Sequence, residues 1–205
     1  MKANSLLLVV DVQNDFCPGG ALPVSSGNEV VQPINQLAQK FQNVVLTQDW
    51  HPAGHISFAS SHAGQAVFDM IDVPYGRQVL WPDHCVQGTK GAELVADLDI
   101  PHAQMIIRKG YYKDTDSYSG FMEADRVTKT GLAGYLKERG IKTIYCAGLA
   151  TDFCVSWTAL DSAANGFETF IIEEACRAID LNGSLEKARQ EWQNAGIKTV
   201  TLSAI

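Results

Sequence analysis

Six short apolar runs, rich in β-branched residues and separated by stretches of helical periodicity, constrain the fold of this chain most strongly. They comprise residues 6–12, 43–47, 104–108, 142–148, 168–174 and 198–202. Most are continuously apolar, which is typical of strands buried on both faces. The helical patterns lie at 28–41, 130–140, the stretch after Cys154, and 184–196. We therefore predict an α/β fold of three αβα layers, Rossmann-like, in which helices flank a mostly parallel six-stranded sheet.

Length, charge and cysteine content exclude several classes of protein. A chain of 205 residues predicts one domain, spanning 1–205. Its net charge of -7 argues against nucleic-acid binding, which needs clustered Lys and Arg. The N-terminal apolar run is short and suits a core strand better than a signal peptide, and no segment is long enough to span a membrane. Five scattered cysteines without a C-x-x-C pair predict reduced thiols and a cytoplasmic location.

Residues 50–103 interrupt the alternation of strands and helices. This segment holds all five histidines and four of the seven prolines. A long connection without strong periodicity is usually functional or disordered. Its mixture of His, Trp and Phe favours an ordered, loop-rich insertion that carries metal- and substrate-binding residues.

Polar or reactive side chains stand at the ends of four predicted strands. Asp11, Asp49 and Lys109 end the first three, and a short turn after the fourth leads to Cys154. Ligands of parallel α/β sheets bind outside the carboxyl ends of the strands, so these side chains should converge. A helix N-terminus and a lysine both stabilise a thiolate, which would make Cys154 a nucleophile and Asp11 its proton acceptor. The N–H groups of the turn can then form an oxyanion hole.

Each of these residues also has a purely structural interpretation. Cys154 can be a small buried apolar side chain, Asp11 a helix cap and Lys109 a solvated strand end. The other cysteines are expected to be inert: Cys146 and Cys176 as core residues, and Cys17 and Cys85 because they border the presumed site without an obvious base. Ser184 is expected to be the N-cap of the last helix.

A second group of residues has the composition of a metal site. Asp49 and His51 are two apart, so in an extended segment their side chains point the same way, and His84 can supply a third ligand. Three O and N ligands with open positions suit a catalytic or substrate-binding Zn²⁺, Fe²⁺ or Mn²⁺. The alternative is that the histidines form hydrogen bonds within a loop. Two aromatic residues bordering these motifs, Phe16 and Trp81, are either core residues or walls around a flat ligand.

Several motifs together resemble one known family. They are "LLLVVDVQNDFCPGGAL", "TQDWHPAGHISFA", "LWPDHCVQGTKGAEL", "IRKG", "DSYSGF" and "GLATDFCVSWTALDSAANGF". From about residue 5 to the C-terminus, the chain resembles the nicotinamidases (pyrazinamidases) of the isochorismatase-like cysteine hydrolase superfamily. "DVQNDF" and "TDFCV" mark the superfamily, whereas "QDWHP" together with "WPDHCV" marks its metal-binding nicotinamidase branch.

The resemblance implies an isochorismatase-like fold and a cytoplasmic amidohydrolase that acts in NAD salvage. Its substrate would be nicotinamide, converted to nicotinate and ammonia, and it would also convert pyrazinamide to pyrazinoate. The implied cofactor is one divalent metal ion, Zn²⁺ in preference to Fe²⁺ or Mn²⁺. Relatives occur as monomers and as larger assemblies, so a homo-oligomer is possible and the sequence does not decide it.

The resemblance also assigns roles to individual residues. It implies a catalytic triad of Asp11, Lys109 and Cys154, and an oxyanion hole formed by the N–H groups of Ala150 and Cys154 beside a cis bond between Leu149 and Ala150. It implies the metal ligands Asp49, His51 and His84, with His55 or Ser57 as a further candidate. The implied walls of the substrate pocket are Phe16, Trp81 and Tyr118. Two rival functions remain: another hydrolase of the superfamily, and a non-enzymatic scaffold on the same fold. A nucleotide-binding protein lacks support because no G-x-G-x-x-G motif is present.

Overall fold

The computed structural model of the protein describes residues 3–205, which fold around a six-stranded sheet. The strands are β1 (Ser5–Val10), β2 (Asn43–Asp49), β3 (Met70–Val73), β4 (Gly76–Val79), β5 (Met105–Lys109), β6 (Thr143–Leu149), β7 (Glu168–Arg177) and β8 (Lys198–Thr199). The helices are α1 (Val31–Ala38), α2 (Leu132–Glu138), α3 (Ser156–Ala164) and α4 (Ser184–Asn194). The sheet has the order β5-β2-β1-β6-β7-β8, and every neighbouring pair in it is parallel. The predicted α/β fold with a parallel six-stranded sheet and flanking helices is confirmed.

The main departures from the predicted elements are at their ends and in the insertion. β3 and β4 form a separate antiparallel hairpin within residues 50–103, which periodicity did not reveal because each strand has only four residues. The stretch predicted as a helix over 28–41 begins with a 3₁₀ turn at Gly27–Val30. The last strand is restricted to two residues instead of 198–202.

The centre of the sheet contains a topological switch point. β1 and β6 are neighbours, and the chain leaves them in opposite directions, from β1 toward β2 and from β6 toward β7. In open parallel sheets this reversal opens a crevice at the carboxyl ends of the two strands. Asp11 directly follows β1, and the turn that carries Cys154 directly follows β6. The next pair outward, β2 and β5, ends with Asp49 opposite Lys109.

The central strands of the sheet are buried at this point. All six residues of β1 are buried, and the last four residues of β6 are buried as well. The buried apolar side chains form a continuous core cluster around these strands. Functional groups at the ends of such strands are held more precisely than groups on mobile loops. Within residues 3–205, no helix is both long and apolar enough to cross a membrane.

Gly148 of β6 lies where the neighbouring strand leaves no room for a side chain. It lies opposite Val10 with a φ of +125°, and an added Cβ would stand 2.1 Å from the carbonyl oxygen of Val10. We predict that Gly148→Ala destabilises the protein by about 3 kcal/mol, since the change adds both a clash with rigid backbone and a strained φ. Urea unfolding measures this loss.

Gly134 provides a matched control for this substitution. It lies on the exposed face of α2, where an added Cβ would meet no other atom within 4 Å. Alanine is the better helix former, so Gly134→Ala should stabilise the protein by about 0.5–1 kcal/mol. Equal stability of the two variants would contradict the account of the β1–β6 contact.

Candidate active site

Lys109 is the central residue of a buried polar cluster at the switch point. Its side chain is fully buried. Nζ lies 2.8 Å from Asp11 Oδ2, 2.5 Å from Asp49 Oδ1 and 3.4 Å from Cys154 Sγ. It also donates a hydrogen bond of 3.0 Å to the carbonyl oxygen of Ser117. The structure therefore brings together the three residues predicted as a triad and joins them to Asp49.

The charged groups of this cluster shift one another's pKa values. Burial raises the pKa of the Asp11 carboxyl, although Lys109 opposes the shift. Burial acts in the same direction on Asp49, but the charges of Lys109 and His51 hold the pKa of this carboxyl well below its usual value. The two carboxylates in turn raise the pKa of Lys109 well above the usual range, against the effect of its own burial. Lys109 is therefore a permanent cation, and Asp11 is the more basic of the two carboxylates.

The same environment keeps the thiol of Cys154 protonated at rest. Burial raises the pKa of Cys154 well above its usual value, and the opposing effect of Lys109 does not compensate. The sequence predicted that the helix N-terminus and the lysine would favour a thiolate. The buried position instead requires a base that removes the proton as the sulfur reacts, and Asp11 is the basic group of the cluster.

The turn that carries Cys154 is a single π-helical turn, Thr151–Val155, which leads into α3. The bond between Leu149 and Ala150 is cis. The carbonyl oxygen of Ala150 accepts hydrogen bonds from the N–H groups of Phe153 and Val155. These hydrogen bonds close the turn and fix the backbone on both sides of the nucleophile.

Asp152 anchors the turn to the next part of the chain. Its carboxylate accepts hydrogen bonds from the N–H groups of Ile179 and Asp180 and from the hydroxyl of Ser184. The prediction that Ser184 is the N-cap of α4 is therefore wrong: Gly183 occupies that position, and Ser184 is the first helical residue. Its hydroxyl is used for a long-range contact that the local sequence pattern does not encode.

Asp49, His51 and His84 form a buried group that can hold a metal ion. One potential ligand atom from each lies within 4.8 Å of the others. Asp49 Oδ2 is 3.3 Å from His51 Nε2 and 3.7 Å from His84 Nε2. Because Lys109 contacts the other oxygen, Oδ1, the Asp49 carboxylate connects the metal group to the triad.

Backbone carbonyl groups orient both histidines of this group. His51 Nδ1 lies 3.0 Å from the carbonyl oxygen of Gly110, and His84 Nδ1 lies 2.8 Å from that of Pro82. A carbonyl oxygen only accepts, so Nδ1 of each ring carries a proton and Nε2, which faces Asp49, is the potential ligand atom. Two imidazole nitrogens and one carboxylate oxygen suit a divalent transition metal or zinc, and these residues therefore fit the implied cofactor.

His55 and Ser57 lie beside this group and bond to each other. His55 Nδ1 is 2.7 Å from Ser57 Oγ, and His55 Nε2 is 3.2 Å from the carbonyl oxygen of Thr115. Burial and the neighbouring His51 lower the pKa of His55 to about 4, so the ring is neutral at pH 7. Both of its nitrogens are engaged in this arrangement. His55 also forms a second buried group with His51 and Asp116, which again shares the His51 ring.

The residues predicted as pocket walls contact the nucleophile turn or the metal group. The ring of Phe16 lies 5.5 Å from that of His84, and the ring of Trp81 lies 5.0 Å from that of Phe153. Trp81 Nε1 donates a hydrogen bond of 2.8 Å to the hydroxyl of Tyr118. Trp81 and Tyr118 thus lie against Phe153 of the nucleophile turn, and Phe16 lies against His84 of the metal group.

Several structural contributions to the site were not identified from the sequence. Thr47 contacts Asp11, Ser117 supplies a carbonyl group to Lys109, and Gly110 supplies one to His51. Backbone carbonyl groups leave no mark on residue type. Gly110 is the exception, because a glycine directly after Lys109 is visible in "RKG". The structure explains it: Gly110 has a φ of +61°, and an added Cβ would lie 2.3 Å from the His51 ring.

Comparison with known proteins identifies the family of the chain. Residues 5–203 match the family described as the isochorismatase domain. The chain is 58% identical over 198 residues to the nicotinamidase of Acinetobacter baylyi, covering 97% of this chain and 92% of the relative.

Two solved structures have the same fold over nearly their whole length. The nicotinamidase/pyrazinamidase of Acinetobacter baumannii superimposes with a TM-score of 0.98 at 58% identity, covering 100% of this chain and 99% of the other. The pyrazinamidase of Pyrococcus horikoshii in complex with zinc gives a TM-score of 0.79 at 39% identity, with coverage of 97% and 99%.

Proposed function

The chain belongs to the isochorismatase family of hydrolases, and from this premise we propose that it converts nicotinamide to nicotinate and ammonia. One observation carries the proposal: Lys109 of the buried Asp–Lys–Cys cluster also contacts Asp49 of the metal group, at 2.5 Å. The relatives named nicotinamidase and pyrazinamidase support nicotinamide and pyrazinamide as substrates. We further propose that residues 1–205 form one hydrolase domain that functions in the cytoplasm in NAD salvage.

The reaction would begin with attack by Cys154. Asp11 accepts the thiol proton as the sulfur bonds to the amide carbon, because a buried thiol with a raised pKa does not ionise in advance. Lys109 stays protonated and stabilises the negative charges of both groups. The carbonyl oxygen becomes an oxyanion, which we assign to the N–H groups of Ala150 and Cys154.

Collapse of the tetrahedral intermediate would release ammonia. Asp11 returns its proton to the leaving nitrogen, the C–N bond breaks, and the acyl group remains on Cys154 as a thioester. A water molecule, deprotonated by the same Asp11, then attacks the thioester and releases nicotinate. Asp11 returns the proton to the sulfur, which restores the resting thiol. One carboxylate thus acts as base and acid in turn.

The remaining site residues would position the substrate. Phe16, Trp81 and Tyr118 enclose the aromatic ring, and Asp49, His51 and His84 hold a divalent metal ion. When bound, a metal of this kind, Zn²⁺ in our proposal, supplies a ligand position for the ring nitrogen and so orients the carboxamide over Cys154. Such positioning explains why a group without a direct role in proton transfer lies so close to the triad.

An ammonia-release assay tests the proposed function directly. The purified protein should release ammonia from nicotinamide and from pyrazinamide. The main rival is another hydrolase of the same family that acts on a different amide or an enol ether. Absence of ammonia release from both substrates, in protein shown to contain stoichiometric metal, would favour this rival.

Removal of the metal is expected to weaken substrate binding more than it slows the chemical step. Because the proposed metal role is orientation of the ring, metal-free protein should show a KM raised by about tenfold or more. Dialysis against a chelator, elemental analysis and steady-state kinetics measure the effect. Added Zn²⁺ should restore the original KM.

His84→Ala is a companion to this experiment, and His102→Ala is its matched control. His84 lies in the metal group, whereas His102 lies near the carbonyl oxygen of Ala38, at 3.1 Å. His84→Ala should reduce Zn²⁺ affinity and raise KM, and His102→Ala should do neither. Unchanged kinetics in verified metal-free protein would count against the positioning role.

A further inference from the structure

We propose that Thr47 is a positioning residue for the catalytic base: its hydroxyl orients Asp11 so that one carboxylate oxygen stays open toward Cys154. This proposal rests on the proposed function of the site, since it gives Thr47 a role in the same reaction. It concerns a residue that belongs to neither the triad nor the metal group. Thr47 is fully buried on β2, the strand next to β1.

Thr47 contacts Asp11 through two hydrogen bonds. The Thr47 hydroxyl donates a hydrogen bond of 2.5 Å to Asp11 Oδ1, and Thr47 Oγ1 accepts one of 3.2 Å from the backbone N–H of Asp11. The backbone of Asp11 has a φ of +47°, which residues other than glycine rarely adopt. One side chain on the neighbouring strand therefore fixes both the strained backbone and the carboxylate of this residue.

The two oxygens of Asp11 consequently have different surroundings. Oδ1 accepts the hydrogen bond from the Thr47 hydroxyl, whereas Oδ2 lies 2.8 Å from Lys109 Nζ, its charged partner. The same ammonium group lies 3.4 Å from Cys154 Sγ, so Lys109 joins the Oδ2 side of the carboxylate to the thiol. A carboxylate oxygen has two lone pairs, so Oδ2 keeps an acceptor position for a proton beside its contact with Lys109. Oδ2 is therefore the atom that would receive the thiol proton.

The rotamer of Thr47 is fixed by packing on its other side. Gly120 lies against the Thr47 methyl group so closely that an added Cβ would stand 2.9 Å from Cγ2. The N–H of Gly120 is held by the hydroxyl of Thr158 at 3.0 Å. The methyl group packs against this backbone, and the hydroxyl points toward Asp11. Loss of the hydroxyl would leave the carboxylate free to rotate and Oδ1 without its donor.

The test compares Thr47→Val, which keeps the shape and loses the hydroxyl, with Thr47→Ser, which keeps the hydroxyl. General bases contribute about 10²–10⁴-fold, so we expect Thr47→Val to lower kcat for nicotinamide by about 30-fold with little change in KM. Thr47→Ser should recover most of this loss. Zn²⁺ affinity should be unchanged in both variants, which separates the effect from the nearby ligand Asp49.

Thr169→Val is the matched control. Thr169 is also a buried threonine on a strand, and its hydroxyl bonds to Ser162 at 2.7 Å and to the carbonyl oxygen of Phe167 at 3.1 Å. This variant should keep the kcat of the original protein. The proposal is overturned if Thr47→Val keeps its kcat, or if Thr47→Ser loses as much activity as Thr47→Val.

A second measurement does not depend on the substrate. The rate at which iodoacetamide alkylates Cys154, followed by peptide mass spectrometry, reports transfer of the thiol proton. We expect Thr47→Val to slow this alkylation by about tenfold relative to the original protein and to Thr47→Ser. An unchanged rate would overturn the role of Thr47. If the original protein does not hydrolyse nicotinamide, the proposed function fails, but the alkylation result still decides the role of Thr47.

Discussion

Replacement of Cys154 with alanine is expected to abolish ammonia release from nicotinamide while the protein remains folded. Removal of an enzyme's nucleophile lowers kcat by about 10⁴-fold or more, because no other group can form the covalent intermediate. The side chain is small and lies in a turn held by backbone hydrogen bonds, so the fold should tolerate the change. Ammonia assays measure activity, and circular dichroism with thermal unfolding verifies the fold.

Cys146→Ala is the matched control for this prediction. Cys146 is fully buried inside β6, and burial raises the pKa of its thiol. It has no base beside it in our assignment, so Cys146→Ala should remain active at a stability cost of about 1 kcal/mol. Mass spectrometry of acid-quenched original protein should show an acyl group on Cys154 alone. Near-normal turnover by Cys154→Ala would overturn the thioester mechanism.

Lys109→Met is expected to have the largest effect on stability as well as abolishing activity. The substitution keeps the apolar stem but leaves Asp11 and Asp49 buried without their shared cation. Removal of one partner from a buried ion pair costs about 3–5 kcal/mol, because an uncompensated charge remains in the interior. Urea unfolding at pH 8 measures the loss in the free energy of unfolding.

The stability deficit of Lys109→Met should depend on pH. The Asp11 carboxyl already has a pKa raised by burial, and removal of Lys109 removes an effect that lowers it. In the variant, the folded state therefore binds a proton more tightly than the unfolded state does. The deficit should be smaller at pH 5 than at pH 8, since stability is lost as pH rises through the raised folded-state pKa.

Lys187→Met is the control for this experiment. Lys187 lies on α4 with 79% of its side chain exposed, and its contact with Glu191 is 4.0 Å long. An exposed pair of this kind contributes little, so Lys187→Met should change stability by no more than about 0.5 kcal/mol. A Lys109→Met variant that is as stable as Lys187→Met at both pH values would contradict the buried ion-pair network.

The order of the elements was predictable from the sequence because it depends on local patterns. Strands buried on both faces must be continuously apolar, so the apolar runs located β1, β2, β6 and β7 to within a few residues. The run at 104–108 located β5 as well, although β5 is an edge strand and Ile106 is exposed. The residues at the ends of these strands were predictable for a related reason. A polar or charged side chain at the end of a strand marks the point where the chain leaves the sheet: Asp11 directly follows β1, and Lys109 is the last residue of β5.

The partners of these residues were not predictable, because they depend on contacts across the sheet. Thr47 is an ordinary β-branched residue in a strand, and only the register between β1 and β2 places its hydroxyl against Asp11. Ser184 had the local pattern of an N-cap but bonds to Asp152 of the nucleophile turn. The hairpin of β3 and β4 was missed because four-residue strands lack a clear period.

The sequence by itself determined the fold class, the strand ends and the residue types available for catalysis. These follow from hydrophobic burial and local geometry, which act over a few neighbouring residues. Only the tertiary structure decided how their charges interact. It showed that Lys109 pairs with both Asp11 and Asp49, and that burial keeps Cys154 as a thiol. Electrostatic energies depend on distance and burial in three dimensions, and strand pairing and crossover topology set both.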